Sequence, residues 1–61
     1  MKMRHTVELK SGDRVMYEFK TKESSNKALK NARQLHKAFN TIKCVWVEPV
    51  KHPEQRKRID F

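Results

Sequence analysis

Apolar and polar positions alternate from Met3 to Lys10. Met3, His5, Val7 and Leu9 fall on one side, and Arg4, Thr6, Glu8 and Lys10 on the other. A period of two with one polar side predicts a half-buried β-strand. Ser11-Gly12-Asp13 follows and holds the only glycine of the chain. Glycine takes the positive φ of a tight turn at no steric cost, so this tripeptide predicts a hairpin. Alternation resumes over residues 14–20, with Val15, Tyr17 and Phe19 inward, Arg14, Glu18 and Lys20 outward, and Met16 interrupting the polar side.

The period then changes. Thr21, Ser24 and Ser25 are suited to cap a helix N-terminus, where Glu23 also meets a favourable dipole. Ala28, Ala32, Leu35 and Phe39 follow at i, i+4, i+7 and i+11, one stripe of an amphipathic helix. Asn40 tolerates the left-handed conformation that often ends a helix, which predicts a helix over about 23–39. Residues 41–50 are rich in β-branched and aromatic side chains and predict a third strand ending near Pro49. Ile42, Cys44 and Trp46 would share one side of it, and Val45 and Val47 the other.

These elements predict an α+β domain of ββαβ type over residues 1–50. Its helix packs on one face of a three-stranded antiparallel sheet of order 2-1-3, because placing the third strand beside the second would require the rarer parallel pairing. Residues 51–61 show no apolar period and are expected to form a flexible basic tail. The layout is similar to that of small phage-encoded proteins that bind and inhibit host machinery. That resemblance of architecture implies a short stand-alone effector and transfers no site residues.

Composition sharpens the functional expectation. Fifteen Lys and Arg against seven Asp and Glu give a formal charge of +8, a field suited to nucleic acid or an acidic protein. The only cysteine is Cys44, so no internal disulfide can form and a reducing, cytoplasmic setting is expected. The opening residues lead into no apolar signal segment, and no run is long enough to span a bilayer.

Catalysis calls for a nucleophile with a base, paired carboxylates or a metal with an open position. None is signalled, and His5, His36, His52 and Cys44 lack ligand spacing, so neither an enzyme, a metal, a cofactor nor a small-molecule substrate is expected. The strongest signal is the helix. Lys30, Arg33 and Lys37 lie within about 60° of one another, nearly opposite the apolar stripe, with Lys27 and Asn26 beside them and the Asn31 and Gln34 amides able to add base-edge or phosphate bonds. Surfaces built only for solubility usually interleave opposite charges. Phosphate contact by these residues, extended by Arg56, Lys57 and Arg58 of the tail, is the leading reading. The alternative is a protein-binding effector acting through the open sheet face. There Met16, Val45, Trp46 and Val47 would form an apolar patch rimmed by Arg4 and Lys43, since Trp and Arg dominate interface hot spots. An unpaired edge strand could also receive a second copy of the chain.

Overall fold

The computed structural model describes all 61 residues. Five regular elements and one turn of 3-10 helix run in the order β1 (Met3–Leu9), β2 (Arg14–Phe19), α1 (Lys22–Phe39), β3 (Ile42–Pro49), the turn Pro53–Gln55, and β4 (Lys57–Asp60). All strand pairs are antiparallel, and the sheet order is β2-β1-β3-β4.

The expected three-stranded sheet of order 2-1-3 is thereby corrected to four strands. The added strand comes from the segment expected to form a tail. Pro53 starts the short turn, and Lys57–Asp60 then pairs with Val47–Cys44. Only Ile59 of β4 is apolar, and it sits opposite Val45. Main-chain pairing to the free edge of β3 supplies the order that hydrophobic patterning did not signal.

The hairpin turns at Gly12, whose φ is +96°. Thr21 caps α1, its hydroxyl oxygen accepting from the Ser24 amide at 3.1 Å. Asn40 ends the helix in the left-handed region at φ 52°, and its amide donates to the His36 carbonyl. These three punctuation residues match their expected roles.

The core is small. Met3, Ile42, Cys44 and Val45 are its buried apolar members, joined by Pro49, His5 and Ser25. Side chains of β1 and β2 split as their alternation predicts, with His5, Val7, Leu9, Val15, Tyr17 and Phe19 turned toward the helix. In β3 the register shifts between Glu8, opposite Cys44, and Leu9, opposite Ile42. The shift moves Ile42 to the helix side, with Val45 and Val47, and leaves Cys44, Trp46 and Glu48 on the open side. Ile42 therefore does not share a side with Trp46, because one extra residue in a strand reverses the alternation beyond it.

The helix does not sit centrally over the sheet. Ser25 is its buried residue, while Leu35 and Phe39 of the expected core stripe are 56% and 69% exposed. Two hydrogen bonds tie α1 to the sheet, beside the half-buried Ala28, Leu29 and Ala32. His5 Nε2 shares a hydrogen bond of 2.6 Å with Ser25 Oγ, and the Ile42 amide donates to His36 Nδ1 at 3.3 Å. Between the helix and the inner side of β2 runs an open apolar groove of about 600 Å³, with Val15, Tyr17, Leu35 and Phe39 among its walls.

Candidate functional site

The two layers of the fold carry very different charge. On the open side of the sheet, pairing aligns Glu18 with Arg4 and Arg4 with Glu48. It aligns Arg14 with Glu8, Glu8 with Cys44, and Cys44 with Asp60. Four of the seven acids of the chain lie on this side; Glu8, Glu18 and Glu48 stand opposite an arginine of a neighbouring strand, and Asp60 shares β4 with Arg58. Arg58 Nε bonds to Asp60 at 2.7 Å, and Lys43 Nζ stands 3.9 Å from Glu8. The open side is close to electrically balanced.

Trp46 lies in the centre of that side, in a row running Met16, Thr6, Trp46, Arg58 across the four strands. The Arg56 guanidinium covers its ring at 3.9 Å from the centroid, and that of Arg58 lies at 5.4 Å. Both distances fall within the reach of cation–π attraction. Beside it, the Cys44 thiol donates to Glu8 Oε2 at 3.4 Å. That bond, with help from the Lys43 and Arg14 charges, holds the Glu8 carboxyl below its usual range. Burial, then the adjoining Glu8, pushes the Cys44 thiol up, so it stays protonated and unreactive.

The helix presents the opposite case. Its five basic residues, Lys22, Lys27, Lys30, Arg33 and Lys37, share it with one acid, Glu23. None of the five takes part in an ion pair; the three pairs of the fold are Lys43–Glu8, His52–Glu54 and Arg58–Asp60. Lys30, Arg33, Gln34 and Lys37 line a shallow cleft of about 460 Å³ between the last turns of α1 and the chain end, with Asp60 and Phe61 opposite. The Phe61 amide donates to the Lys43 carbonyl at 3.4 Å, which carries the chain past β4 toward the helix. Its ring meets His36 edge-on, with centroids 5.4 Å apart, and the Arg33 guanidinium lies 6.0 Å from its centroid.

The structure therefore gathers Lys30, Arg33, Gln34 and Lys37 and leaves Lys27 on the flank of the helix outside this cleft. Arg56 and Arg58 are not beside them: they lie across the sheet, on Trp46. Lys57 pairs with Val47 and faces the helix side. Of the residues of the alternative patch, Arg4, Met16 and Trp46 share the open side, with Lys43 at its rim beside Glu8. Val45 and Val47 face the other way, and Val45 is wholly buried. The exposed apolar surface is the groove beside β2 instead.

Phe61 lies in the segment expected to be a flexible tail. Its signal was the alternation of Ile59 and Phe61, too short to distinguish from chance. No three His, Cys, Asp or Glu side chains gather as metal ligands would, and no helix is long and apolar enough to cross a membrane. Compared with known protein families, curated proteins and solved structures, the chain matches none.

Proposed function

We propose that this chain is a non-enzymatic, cytoplasmic nucleic-acid-binding protein that holds the phosphate backbone along Lys30, Arg33 and Lys37. The observation that carries this reading is the segregation of charge. Acids and arginines face one another on the open side of the sheet, whereas α1 sets five cations against Glu23, half of the +8 surplus, and no acid pairs with any of the five. Unpaired like charges at i, i+3 and i+4 cost helix stability. A polyanion that brings phosphates to the stripe relieves that repulsion and releases its own counterions.

Gln34 adds an amide able to bond phosphate or base edges, and Phe61 supplies an aromatic wall to the same cleft. The Trp46 side supports a protein-binding role less well, since its indole is already covered by Arg56.

The test is a salt titration of labelled duplex and single-stranded oligonucleotides, followed by anisotropy. Each phosphate contact contributes about 0.9 to the slope of log K against log salt on duplex DNA, and about 0.7 on a single strand. Lys30→Gln/Arg33→Gln/Lys37→Gln should keep the fold, because all three side chains are exposed, and should flatten the duplex slope by about two to three units. An unchanged slope, or no binding by the wild type at low salt, refutes the proposal.

A further inference from the structure

The apolar groove and the free edge of β2 lie side by side, and together they describe a self-complementary surface. We propose that two copies of this chain associate through β2, antiparallel and centred on Met16, forming one eight-stranded sheet whose two grooves close over each other.

Backbone parity selects which groups are free. The Leu9 amide donates to the Asp13 carbonyl at 2.8 Å, so within the β1–β2 ladder the odd residues of β2 bond to β1. In an antiparallel strand the intervening residues point their N–H and C=O groups the other way. Arg14, Met16 and Glu18 thus line the unpaired edge with main-chain donors and acceptors.

Charge then selects the register. A two-fold axis through Met16 sets Arg14 of each copy opposite Glu18 of the other, two attractive cross-strand pairs. Moving the axis to Arg14 or Glu18 puts identical charges face to face. The same central register sets Val15 opposite Tyr17 of the second copy, on the helix side of the joined sheet. A two-fold axis perpendicular to the sheet keeps both helices on one face. Leu35 and Phe39 of each copy then close over a shared layer of Val15 and Tyr17.

Exposure supports the same surface. Val15, Tyr17, Leu35 and Phe39 are 38%, 51%, 56% and 69% exposed in the single chain, all on this groove. Edge strands that must stay single usually carry a proline, a bulge or an inward charge, and β2 has none of these among its six residues, RVMYEF. The choice of a second copy over an acidic partner rests on the edge itself, where one arginine and one glutamate balance within the strand. Lys30, Arg33 and Lys37 line the cleft against Phe61, on the other flank of the helix from the groove, so these three do not oppose the contact locally.

The experiment is sedimentation equilibrium of the full chain, free of nucleic acid, from about 1 µM to about 1 mM. The wild type is expected to dimerise within that range. Glu18→Arg, which turns both attractive pairs repulsive, should raise the dissociation constant about tenfold, as should Arg14→Glu. The double variant Arg14→Glu/Glu18→Arg restores opposite charges and should return to within about twofold of wild type. Both side chains are exposed, and circular dichroism confirms that the variants fold. As a second readout, Met16→Cys should oxidise to a covalent dimer. Directly opposed, hydrogen-bonded residues have Cα atoms about 5.5 Å apart, within disulfide range. A wild type monomeric throughout, a dimer indifferent to the single charge variants, or a Met16→Cys protein that stays monomeric on oxidation overturns the proposal. None of these outcomes bears on the salt dependence of nucleic-acid binding.

Discussion

Replacing Ser25 by Ala removes the hydroxyl 2.6 Å from His5 Nε2 and leaves the ring nitrogen facing apolar surroundings. His5 is 3% exposed and Ser25 1%, so water cannot take the place of the lost partner. A buried polar group without a partner costs about 1–3 kcal/mol. A domain of this size has only about 3–5 kcal/mol in hand. At about 4–8 °C per kcal/mol, Ser25→Ala should lower the melting temperature by about 5–20 °C.

The bond joins β1 to the first turns of α1, so its loss should also loosen the helix from the sheet. A double-mutant cycle with His5→Leu isolates the pair. In that background nothing polar is stranded, and Ser25→Ala should cost less than about 0.5 kcal/mol. The assay is urea unfolding followed by circular dichroism at pH 7.5. A single-variant cost below about 0.5 kcal/mol, or an equal cost in both backgrounds, refutes the reasoning.

The same site makes stability depend on pH. Burial lowers the His5 pKa below its ordinary value. The unfolded chain then binds more protons at this site than the folded one, so stability rises with pH across the window between the two values. The contribution is complete above about pH 6.5 and is lost as pH falls from there to the lowered folded value. His5→Leu should abolish this slope. Glu8, also lowered, acts in a separate and more acidic window, where protonation costs stability as pH falls through the usual carboxylate range and below.

Asn40 holds a left-handed φ of 52°, so Asn40→Gly should be neutral within a few tenths of a kcal/mol, whereas Asn40→Val should cost about 1–2 kcal/mol in thermal unfolding. Arg56→Ala should uncover the Trp46 ring, seen as a red-shifted emission maximum and faster acrylamide quenching with little change in stability, because the arginine sits 3.9 Å from the ring centroid on the solvent side. An unchanged emission would show that the stacking does not persist in solution.

Local chemistry accounts for the parts of this fold that the chain announces. The Gly12 turn, the Thr21 cap and the Asn40 end each depend on the conformational preference of one residue, and the runs between them depend on periods of two and 3.6. Those signals are complete within a few residues and survive any tertiary arrangement. The basic stripe of α1 was visible for the same reason, since helical geometry alone places Lys30, Arg33 and Lys37 together.

Tertiary structure decided what depends on partners distant in sequence. β4 exists because β3 offers an edge to pair with, and Lys57–Asp60 carries too little apolar pattern to indicate that by itself. The shift between Glu8 and Leu9 turned Ile42 to the other side, which a strand read in isolation cannot reveal. α1 packs through the face that carries Ser25, Leu29, Ala32 and His36, joined by the His5–Ser25 and Ile42–His36 bonds, while Leu35 and Phe39 line an open groove. Arg56 and Arg58 were separated from the helix cations by the same pairing of β4, which placed them across the sheet on Trp46. Charge was legible in the sequence as a sum. Its division between a sheet face of facing charges and an unpaired helix arose only when strand registers set Glu8, Glu18 and Glu48 opposite Arg14 and Arg4.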